Sequence, residues 1–411
     1  MNHLLHTYVL VLIVQLSILP QVAVAQTKGF IYGKVTTRDG ESYQGPLRWG
    51  KEEVYWTDFF NASKPENEYL DYLSREDYQE LKRNKDIGNR MAIWVSNRWG
   101  DWDDTFTHQF VCQFGELKSI KIYRRNDVKV ELRDGTTMDL NGRGYNDIGS
   151  KIRILDEELG EIKLEWDRIQ LIEFLKTPNS LDQTFGDPLY GTVETDYGSF
   201  TGFIQWDHDE RVSEDKLDGD TYDGDLSIAF AKIKSIESMG NRCEVILKSG
   251  RNLMLRGSND VNGDNDGIIV TLPKIGRVDI PWREFVKVTF SSPPNQIKGF
   301  DDFQKRSPLR GIVKTRDQTI EGEIIYDLDE SSTIEILHGE QNRIEYLLPF
   351  RNIKSIEPKT YRYSEVVLKN GDRLRLEESQ DVSDKNNGIL VLEDGDPSYL
   401  PWYKIESIVF K

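Results

Sequence analysis

Hydrophobic residues recur at fixed spacing along the chain and mark where strands are expected to begin. Trp166, Trp282 and Trp402 are each followed by hydrophobic residues at +3 and +6 and by a phenylalanine at +8. A step of three fits one helical turn, whereas positions +6 and +8 lie on the same face of a strand. The pattern therefore predicts a short helical turn that leads directly into a core strand.

A similar ending occurs midway between these points and divides the chain into smaller units. Phe114, Phe230 and Phe350 are followed by hydrophobic residues at +3 and +6, and the spacings between the three tryptophans are 116 and 120 residues. Self-similarity at a nearly constant period is typical of repeat architectures. The sequence predicts three tandem repeats, each made of two related half-units.

Each second half-unit opens with a hydrophobic run that ends at a glycine. The three runs, 130–135, 245–250 and 366–371, finish in Asp-Gly, Ser-Gly and Asn-Gly. These dipeptides supply the positive φ that tight hairpin turns require. Strands and turns that alternate in this way predict an all-β fold, in which each half-unit is a small bent or barrel-like sheet.

The segment Val-Val-Leu-Lys-Asn-Gly at 366–371, with hydrophobic strands on either side, resembles the strand-and-turn pattern of small Sm-like and SH3-like β-barrels. The resemblance implies a small barrel-like fold for each half-unit. It implies no functional residue, because these folds host many unrelated functions.

Turn-rich segments separate the repeats. The two linkers are rich in Pro, Ser, Asn and Asp. The predicted organisation is a signal peptide at 1–25, a first repeat at 26–176, a linker at 177–188, a second repeat at 189–290, a linker at 291–308 and a third repeat at 309–411. The first repeat contains an insertion at about 60–110, where a capping-box-like start at 74–77 predicts a short helix.

The N-terminus has the features of a secretory signal peptide. An apolar run of 12 residues at 8–19 is followed by Pro20 and by the small-x-small site Ala23–Ala25. The run is shorter than the roughly 20 residues that span a bilayer, so cleavage near Ala25 is favoured over an uncleaved anchor. The mature chain is expected to be periplasmic or extracellular and to have no transmembrane segment.

Charge narrows the classes of partner. The chain has 53 Lys and Arg against 70 Asp and Glu, a net charge of −17. A phosphate backbone needs a basic footprint, so the balance argues against nucleic acid as a partner. The most acidic stretch, 207–225, is expected to be a solvated loop. Cys112 and Cys243 fall at non-equivalent positions of different repeats and are predicted to be buried thiols rather than a disulfide.

The insertion contains the candidate ligand site. Three tryptophans within nine residues are interleaved with charged groups. A tryptophan face with polar neighbours can stack on a sugar or a peptide and orient it. The alternative is that these tryptophans anchor the insertion to the first repeat. The candidate ligand-binding residues are Trp94, Arg98, Trp99, Asp101, Trp102 and Asp103.

A loop in the second repeat is the candidate metal site. Oxygen-bearing residues alternate there as they do in calcium loops, at Asp260, Asn262, Asp264 and Asp266. The favoured interpretation is a turn built by Asx and glycine residues without an ion, because Asn265 stands where such loops need glycine. Calcium is the alternative at this loop, and no other cofactor is predicted.

The sequence contains no common catalytic motif: G-x-S-x-G, H-E-x-x-H, the P-loop and the dinucleotide fingerprint are all absent. We therefore expect an exported, acidic β-repeat protein that acts as a non-catalytic binding or scaffolding module, with a glycan, a peptide or a protein as its partner. One alternative is a secreted carbohydrate-active enzyme, which would bring carboxylates together in a deep cleft. The other is a calcium-dependent adhesion or matrix component.

Overall fold

The computed structural model describes residues 27–65, 67–79, 81, 108–294 and 297–411. The predicted signal peptide lies outside these residues. The described chain is all-β, as predicted, with 52% of residues in strands that form large antiparallel sheets. It contains no helix that is both long and apolar enough to cross a membrane.

The strands of the described chain fall into three groups of ten, which we name units 1, 2 and 3. Unit 1 contains β1 Tyr32–Thr37, β2 Ser42–Trp49, β3 Phe59–Lys64, β4 His108–Gln113, β5 Leu117–Ile122, β6 Asp127–Leu132, β7 Thr137–Asn141, β8 Ile152–Asp156, β9 Gly160–Leu164 and β10 Ile169–Phe174. Unit 2 contains β11 Tyr190–Thr195, β12 Gly198–Trp206, β13 Lys216–Thr221, β14 Gly224–Ala229, β15 Ile233–Ser238, β16 Cys243–Leu247, β17 Asn252–Leu255, β18 Ile268–Leu272, β19 Gly276–Ile280 and β20 Phe285–Phe290. Unit 3 contains β21 Arg310–Thr315, β22 Thr319–Tyr326, β23 Ile336–Gln341, β24 Ile344–Pro349, β25 Ile353–Pro358, β26 Tyr363–Leu368, β27 Arg373–Glu377, β28 Ile389–Glu393, β29 Asp396–Leu400 and β30 Ile405–Phe410.

The strands of unit 1 pair in the order β9-β8-β2-β1-β10-β5-β6-β7-β3-β4. Unit 2 pairs in the order β19-β18-β12-β11-β20-β15-β16-β17, and a single bridge from Asp220 to Arg256 joins its hairpin β13–β14 to the chain just after β17. Unit 3 pairs in the order β29-β28-β22-β21-β30-β25-β26-β27-β23-β24. No sheet of the described chain closes on itself, so the predicted barrel-like half-units are instead open sheets.

The aromatic endings of the sequence pattern are single 3-10 turns, each followed directly by a strand. They are Phe114–Glu116, Trp166–Arg168, Phe230–Lys232, Trp282–Glu284, Phe350–Asn352 and Trp402–Lys404. In all six the aromatic residue that opens the turn is buried, with 8% exposure at most. The prediction of a short turn that leads into a core strand is confirmed.

Two large hydrophobic cores stabilise the chain. One fills unit 1 and the other runs through units 2 and 3. Phe303 from the second linker is buried in the core of unit 1. This linker therefore packs against unit 1. Cys112 and Cys243 are buried, unbridged thiols in the two cores, as predicted.

Units 2 and 3 share one sheet. Strand β19 of unit 2 pairs antiparallel with β24 of unit 3, and this pairing sets Asp279 opposite Glu345. Main-chain hydrogen bonds therefore cross the boundary between these two units.

Buried ion pairs join unit 1 to unit 2. The Arg211 guanidinium binds the Asp58 carboxylate at 2.9 Å, and both side chains are 1% exposed. Arg48 binds Asp215 at 2.7 Å, again with a nearly buried arginine. A buried charge depends on its partner, so these pairs fix how the two units dock.

Further ion pairs join unit 1 to unit 3. Lys64 Nζ lies 2.8 Å from Asp329 and 2.5 Å from Glu335. Arg351 binds Glu116 at 2.6 Å. Each unit therefore contacts both of the others.

The described start of the insertion also packs on unit 3. Residues 75–79 are helical, and Asp77 N donates to Ser74 Oγ at 3.1 Å, the capping bond that the sequence predicts. Leu81 is buried in a cluster with Leu328 of unit 3. This part of the insertion is a clasp between units 1 and 3.

Candidate cation site

Strand β12 ends in a tight turn that presents two carboxylates. Trp206 N donates to Glu210 O at 2.8 Å, and Glu210 N donates to Trp206 O at 2.9 Å. Asp207 and His208 reverse the chain between them, with φ values of 49° and 59°. Aspartate tolerates this left-handed region better than most residues, because its short polar side chain can bond locally. Asp207 and Glu210 are therefore fixed on one small loop.

A third carboxylate comes from a distant part of the chain. Asp260 lies in the 3-10 turn Asn259–Val261, which Ser258 caps. The indole N–H of Trp206 donates to Asp260 O at 3.0 Å in the core. This bond, together with the pairing of β12 with β18, sets Asp260 beside the turn that follows Trp206.

Asp207, Glu210 and Asp260 form an acidic triad. Each offers one carboxylate oxygen such that the three oxygens lie within 4.8 Å of one another, and no other described cluster of acidic, histidine or cysteine side chains does so. Asp207 and Asp260 are 4% and 5% exposed, and Glu210 is half-buried. The triad could hold a metal ion, because hard cations such as Ca²⁺ bind several carboxylate oxygens.

The hydrogen bonds of the triad leave one buried oxygen without a partner. Asp266 N donates to Asp207 Oδ1 at 2.6 Å, and Asp218 N donates to Asp260 Oδ2 at 2.6 Å. Glu210 Oε2 is buried, and no described residue bonds to it. Burying an unpaired carboxylate oxygen is costly. A cation at the triad would supply the missing partner.

Burial and neighbouring negative charges raise the pKa of the three acids. Burial, and then the charges of Asp260 and Asp209, raise the pKa of Glu210 to about 9. Burial is also the main cause that raises the pKa of Asp207 to about 6 and moves the pKa of Asp260 upward. In the absence of a cation, a proton on Glu210 compensates the crowded charge at neutral pH. A divalent cation would displace that proton, since metal ligands must be deprotonated.

A lysine of unit 1 lies at the rim of the triad. Lys51 Nζ binds Asp209 Oδ2 at 2.8 Å, and the lysine side chain is 76% exposed. An ion pair this exposed is worth less than about 1 kcal/mol. It therefore does not replace a counter-charge inside the triad.

The structure places the four predicted metal residues on one loop but brings only Asp260 into the triad. Asn262 Oδ1 accepts a hydrogen bond from Asp264 N at 2.7 Å, which is an Asx turn. The side chains of Asp264 and Asp266 are exposed. The loop is thus built by the turn chemistry that we favoured, and the acidic cluster forms beside it.

The six predicted ligand-binding residues, Trp94, Arg98, Trp99, Asp101, Trp102 and Asp103, lie outside the described residues. The aromatic platform therefore stays a prediction.

Sequence reasoning missed Asp207 and Glu210. Both belong to the acidic stretch 207–225, and the expectation of a solvated loop there is wrong, because β13 and β14 form a hairpin within it. Asp-Gly pairs, which usually mark turns, obscure the strand alternation. A usable signal was present: an aromatic residue followed by Asp-x-Asp-Glu occurs at 206–210 and again at 326–330.

No family model and no curated protein matches the chain. Selenomethionine-substituted virginiamycin B lyase from Staphylococcus aureus is 11% identical with a TM-score of 0.12, over 76% of this chain and 93% of that one. A catalytically inactive variant of the same lyase with quinupristin is 12% identical with a TM-score of 0.10, over 72% and 96%. Likeness at this level supports no conclusion about fold or function.

Proposed function

We propose that the protein is an exported, non-catalytic binding or scaffolding module of three tandem β repeats, and that its second repeat binds a divalent cation of the calcium type. The observation that supports the cation site is the acidic triad of Asp207, Glu210 and Asp260, whose carboxylate oxygens lie within 4.8 Å of one another. The N-terminal sequence supports export.

The repeat assignment is supported by structural detail beyond the sequence pattern. The strand-pairing order is shared by units 1, 2 and 3, and in each the third strand meets the seventh, or the residue just after it, at a single residue pair. Each unit also has two 3-10 turns that begin with a buried aromatic residue, at corresponding places before its fifth and tenth strands. A unit of about 100 residues could fold alone, but its neighbours here bury its charged faces.

A scaffolding role is supported by the contacts between units. Three carboxylates at one position of the three units, Asp58, Asp215 and Glu335, each accept two backbone N–H bonds from their own unit. Each of them also binds a cation from another unit, namely Arg211, Arg48 or Lys64. The units are thereby held in fixed register, as a rigid platform for a partner requires.

Calcium-dependent adhesion or matrix assembly is the second candidate function, and the same triad favours it. The two candidates differ in how far the assembly depends on the ion. In a scaffold the ion stabilises unit 2 alone, whereas in an adhesion protein calcium also controls binding to the partner.

Thermal unfolding in calcium tests the site. We expect calcium to raise the melting temperature and chelator to lower it, because an ion that binds only the native state stabilises it. At about 100 times its Kd, the gain is about 2.7 kcal/mol. Asp207→Asn should remove this gain.

The matched control is Asp327→Asn, at the same turn position in unit 3. Asp327 accepts hydrogen bonds from Gln380 Nε2 and from Asn387 N, much as Asp207 accepts them from Asn259 and Asp266. The Asp327→Asn variant should lose a similar amount of stability but keep the calcium response. An equal loss of response in both variants, or no response of the wild type in ten-millimolar calcium, would show that the triad is not a calcium site.

A further inference from the structure

One edge of β7 faces away from its hairpin partner. Leu132 N donates to Thr136 O at 2.8 Å, and Gly142 N donates to Asn126 O at 3.0 Å, which fixes the phase of the β6–β7 ladder. Antiparallel ladders bond alternate residues, so positions 138 and 140 bond β6. The backbone N–H and C=O groups of Thr137 and Asp139 therefore point to the opposite edge.

That opposite edge is paired at one end alone. Within the described chain, β3 pairs with β7 only between Ser63 and Asn141. In unit 3 the corresponding edge is capped, because Gln341 Oε1 accepts a hydrogen bond from Arg375 N at 2.9 Å. Arg375 occupies in β27 the place of Asp139 in β7. Unit 3 also pairs at one position, Glu340 with Glu377, so its edge differs from that of unit 1 by this one added bond.

The side chain at this place in unit 1 cannot make the same bond, because a lysine ammonium group has no acceptor for a main-chain N–H. Lys64 stands in β3 where Gln341 stands in β23, and it binds Asp329 and Glu335 of unit 3. Pro65 follows and has no N–H to donate. Among the residues that the structure describes, none pairs with the main chain of Thr137 or Asp139 on this edge.

A cleft of about 410 Å³ lies along this edge, between units 1 and 3. Residues 136–140 form one wall, and Ser331, Ser332 and Ile334 line the other. The open edge from 137 to 139 is roughly 10 Å long at about 3.3 Å per residue. The cleft therefore has room for a short extended segment of about three residues.

The lining of the cleft combines apolar and charged side chains. Phe110, Met138 and Ile334 supply apolar surface. Four carboxylates line it against two cations, Lys64 and Arg306. Lys64 is bound by two of these carboxylates, Arg306 binds Asp134, and Lys129 lies 3.4 Å from Asp139. The lining side chains carry a net charge of −2, four acids against two cations.

We propose that the cleft beside β7 binds an extended, basic segment of a partner polypeptide, which adds to the sheet as a strand. The main chain of the segment pairs with Thr137 and Asp139, as in other cases of strand addition. Side chains of the added strand contact the apolar lining residues, and its basic side chains pair with the lining carboxylates. This inference rests on the proposed binding role and is independent of the cation site.

The probe is a fluorescein-labelled hexapeptide that alternates lysine and valine, titrated with the full chain at low salt by fluorescence anisotropy. A second probe alternates glutamate and valine, and a third is the lysine–valine peptide N-methylated at alternate amides. We expect saturable binding of the first probe. Binding of the other two should be at least about tenfold weaker, because charge and main-chain pairing both contribute.

Asp139→Pro removes the N–H that faces the cleft and leaves the bonds to β6 in place. Met254→Pro, at the same register in β17 of unit 2, is the matched control. We expect at least about a tenfold loss of affinity for the first variant and less than about a twofold change for the second. If Asp139→Pro does not fold, Asp139→Lys replaces it and should weaken binding through charge alone.

Several outcomes would overturn the proposal. These are equal loss in both proline variants, equal binding of the glutamate probe, or no saturable binding of the lysine–valine probe. Tighter binding of a synthetic peptide of residues 82–107 would assign the cleft to the chain's own insertion. Self-association that Asp139→Pro abolishes would assign it to a second copy. If the lysine–valine probe does not bind but calcium still raises the melting temperature, the cleft proposal fails and the cation site stands.

Discussion

Units 2 and 3 build the same acidic turn and compensate its charge in different ways. After β22, Asp327 and Leu328 have φ values of 53° and 57°, close to those of Asp207 and His208 after β12. Tyr326 Oη donates to Asp381 O at 2.5 Å, as the Trp206 indole donates to Asp260 O. Yet only the carboxylates of unit 2 come within 4.8 Å of one another among the described residues.

The difference lies in what surrounds each turn. In unit 3, Lys64 binds Asp329 next to the buried Glu330, and burial raises the pKa of Glu330 well above its usual range. A nearby lysine thus compensates part of the charge there, although Glu330 Oε2, like Glu210 Oε2, is buried without a partner in the described chain. In unit 2 the corresponding lysine, Lys51, is exposed at the rim. One backbone turn thus supports either an internal ion pair or a site for an outside cation, depending on the position of the neighbouring lysine.

The largest effect is expected at the residue that follows the turn, which is Arg211 in unit 2 and Ser331 in unit 3. Arg211→Met leaves the Asp58 carboxylate buried without its partner. Breaking a buried pair on one side costs about 3–5 kcal/mol of unfolding free energy. Urea denaturation measures this cost, and Ser331→Ala should cost about 1 kcal/mol or less. A cost under 1 kcal/mol for Arg211→Met would show that unit 2 does not depend on this anchor.

The next largest effect is expected on calcium binding, which should depend on Glu210 in the turn of unit 2 but not on Glu330 in the turn of unit 3. Glu210→Gln should remove most of the calcium stabilisation, about 2.7 kcal/mol at 100 times the Kd, because the amide cannot replace a charged ligand. Glu330→Gln should leave the calcium response intact. Isothermal titration calorimetry on both variants measures the difference. Retained calcium binding in Glu210→Gln would remove this residue from the site.

Local spacing predicted the local parts of this fold. The 3-10 turns at Trp166, Trp282 and Trp402 depend on side chains three to eight residues apart, so periodicity reveals them. Asp260 was found for the same reason, since it opens a loop with calcium-like spacing. The sequence pattern was too coarse to decide between closed barrels and open sheets.

Contacts between residues far apart in the sequence could not be predicted from local spacing. Glu210 and Asp260 are fifty residues apart and meet because β12 pairs with β18 and because the Trp206 indole bonds Asp260 O. The salt bridge from Arg211 to Asp58 links different units. No local pattern in one sequence indicates which of 70 acids faces which cation.

The stability of unit 3 is expected to depend on pH through Glu330. The pKa of Glu330 is raised by burial and by Asp329, so the native state keeps a proton that the unfolded state releases. The unfolding free energy therefore falls as pH rises above the unfolded pKa, by at most about 1.4 kcal/mol per pH unit. Glu330→Gln should reduce that fall between pH 5 and 8 in thermal melts. The exposed Glu393→Gln is the control and should follow the wild type.

The smallest effect is expected where the two units meet. Asp279 of β19 lies opposite Glu345 of β24, so two carboxylates face each other across the shared sheet. His208 Nε2 lies 3.0 Å from Asp279, and His338 Nδ1 lies 3.3 Å from Glu345. Arg277 stands beside Asp279 on the same strand. The two histidines thus bring one positive charge to each acid when they are protonated.

Burial lowers the pKa of His338, but its hydrogen bond to Glu345 and the charge of Asp381 outweigh burial and raise it overall. A raised histidine pKa means that the stabilisation is complete below pH 6.5 and is lost as pH rises through the folded value. Glu345 is 44% exposed, so solvent screening limits the effect to about 0.5 kcal/mol. Melts from pH 6 to 8 should therefore decline slightly less for His338→Gln than for the wild type. An equal decline would mean that the pair of His338 with Glu345 adds no measurable stability where units 2 and 3 meet.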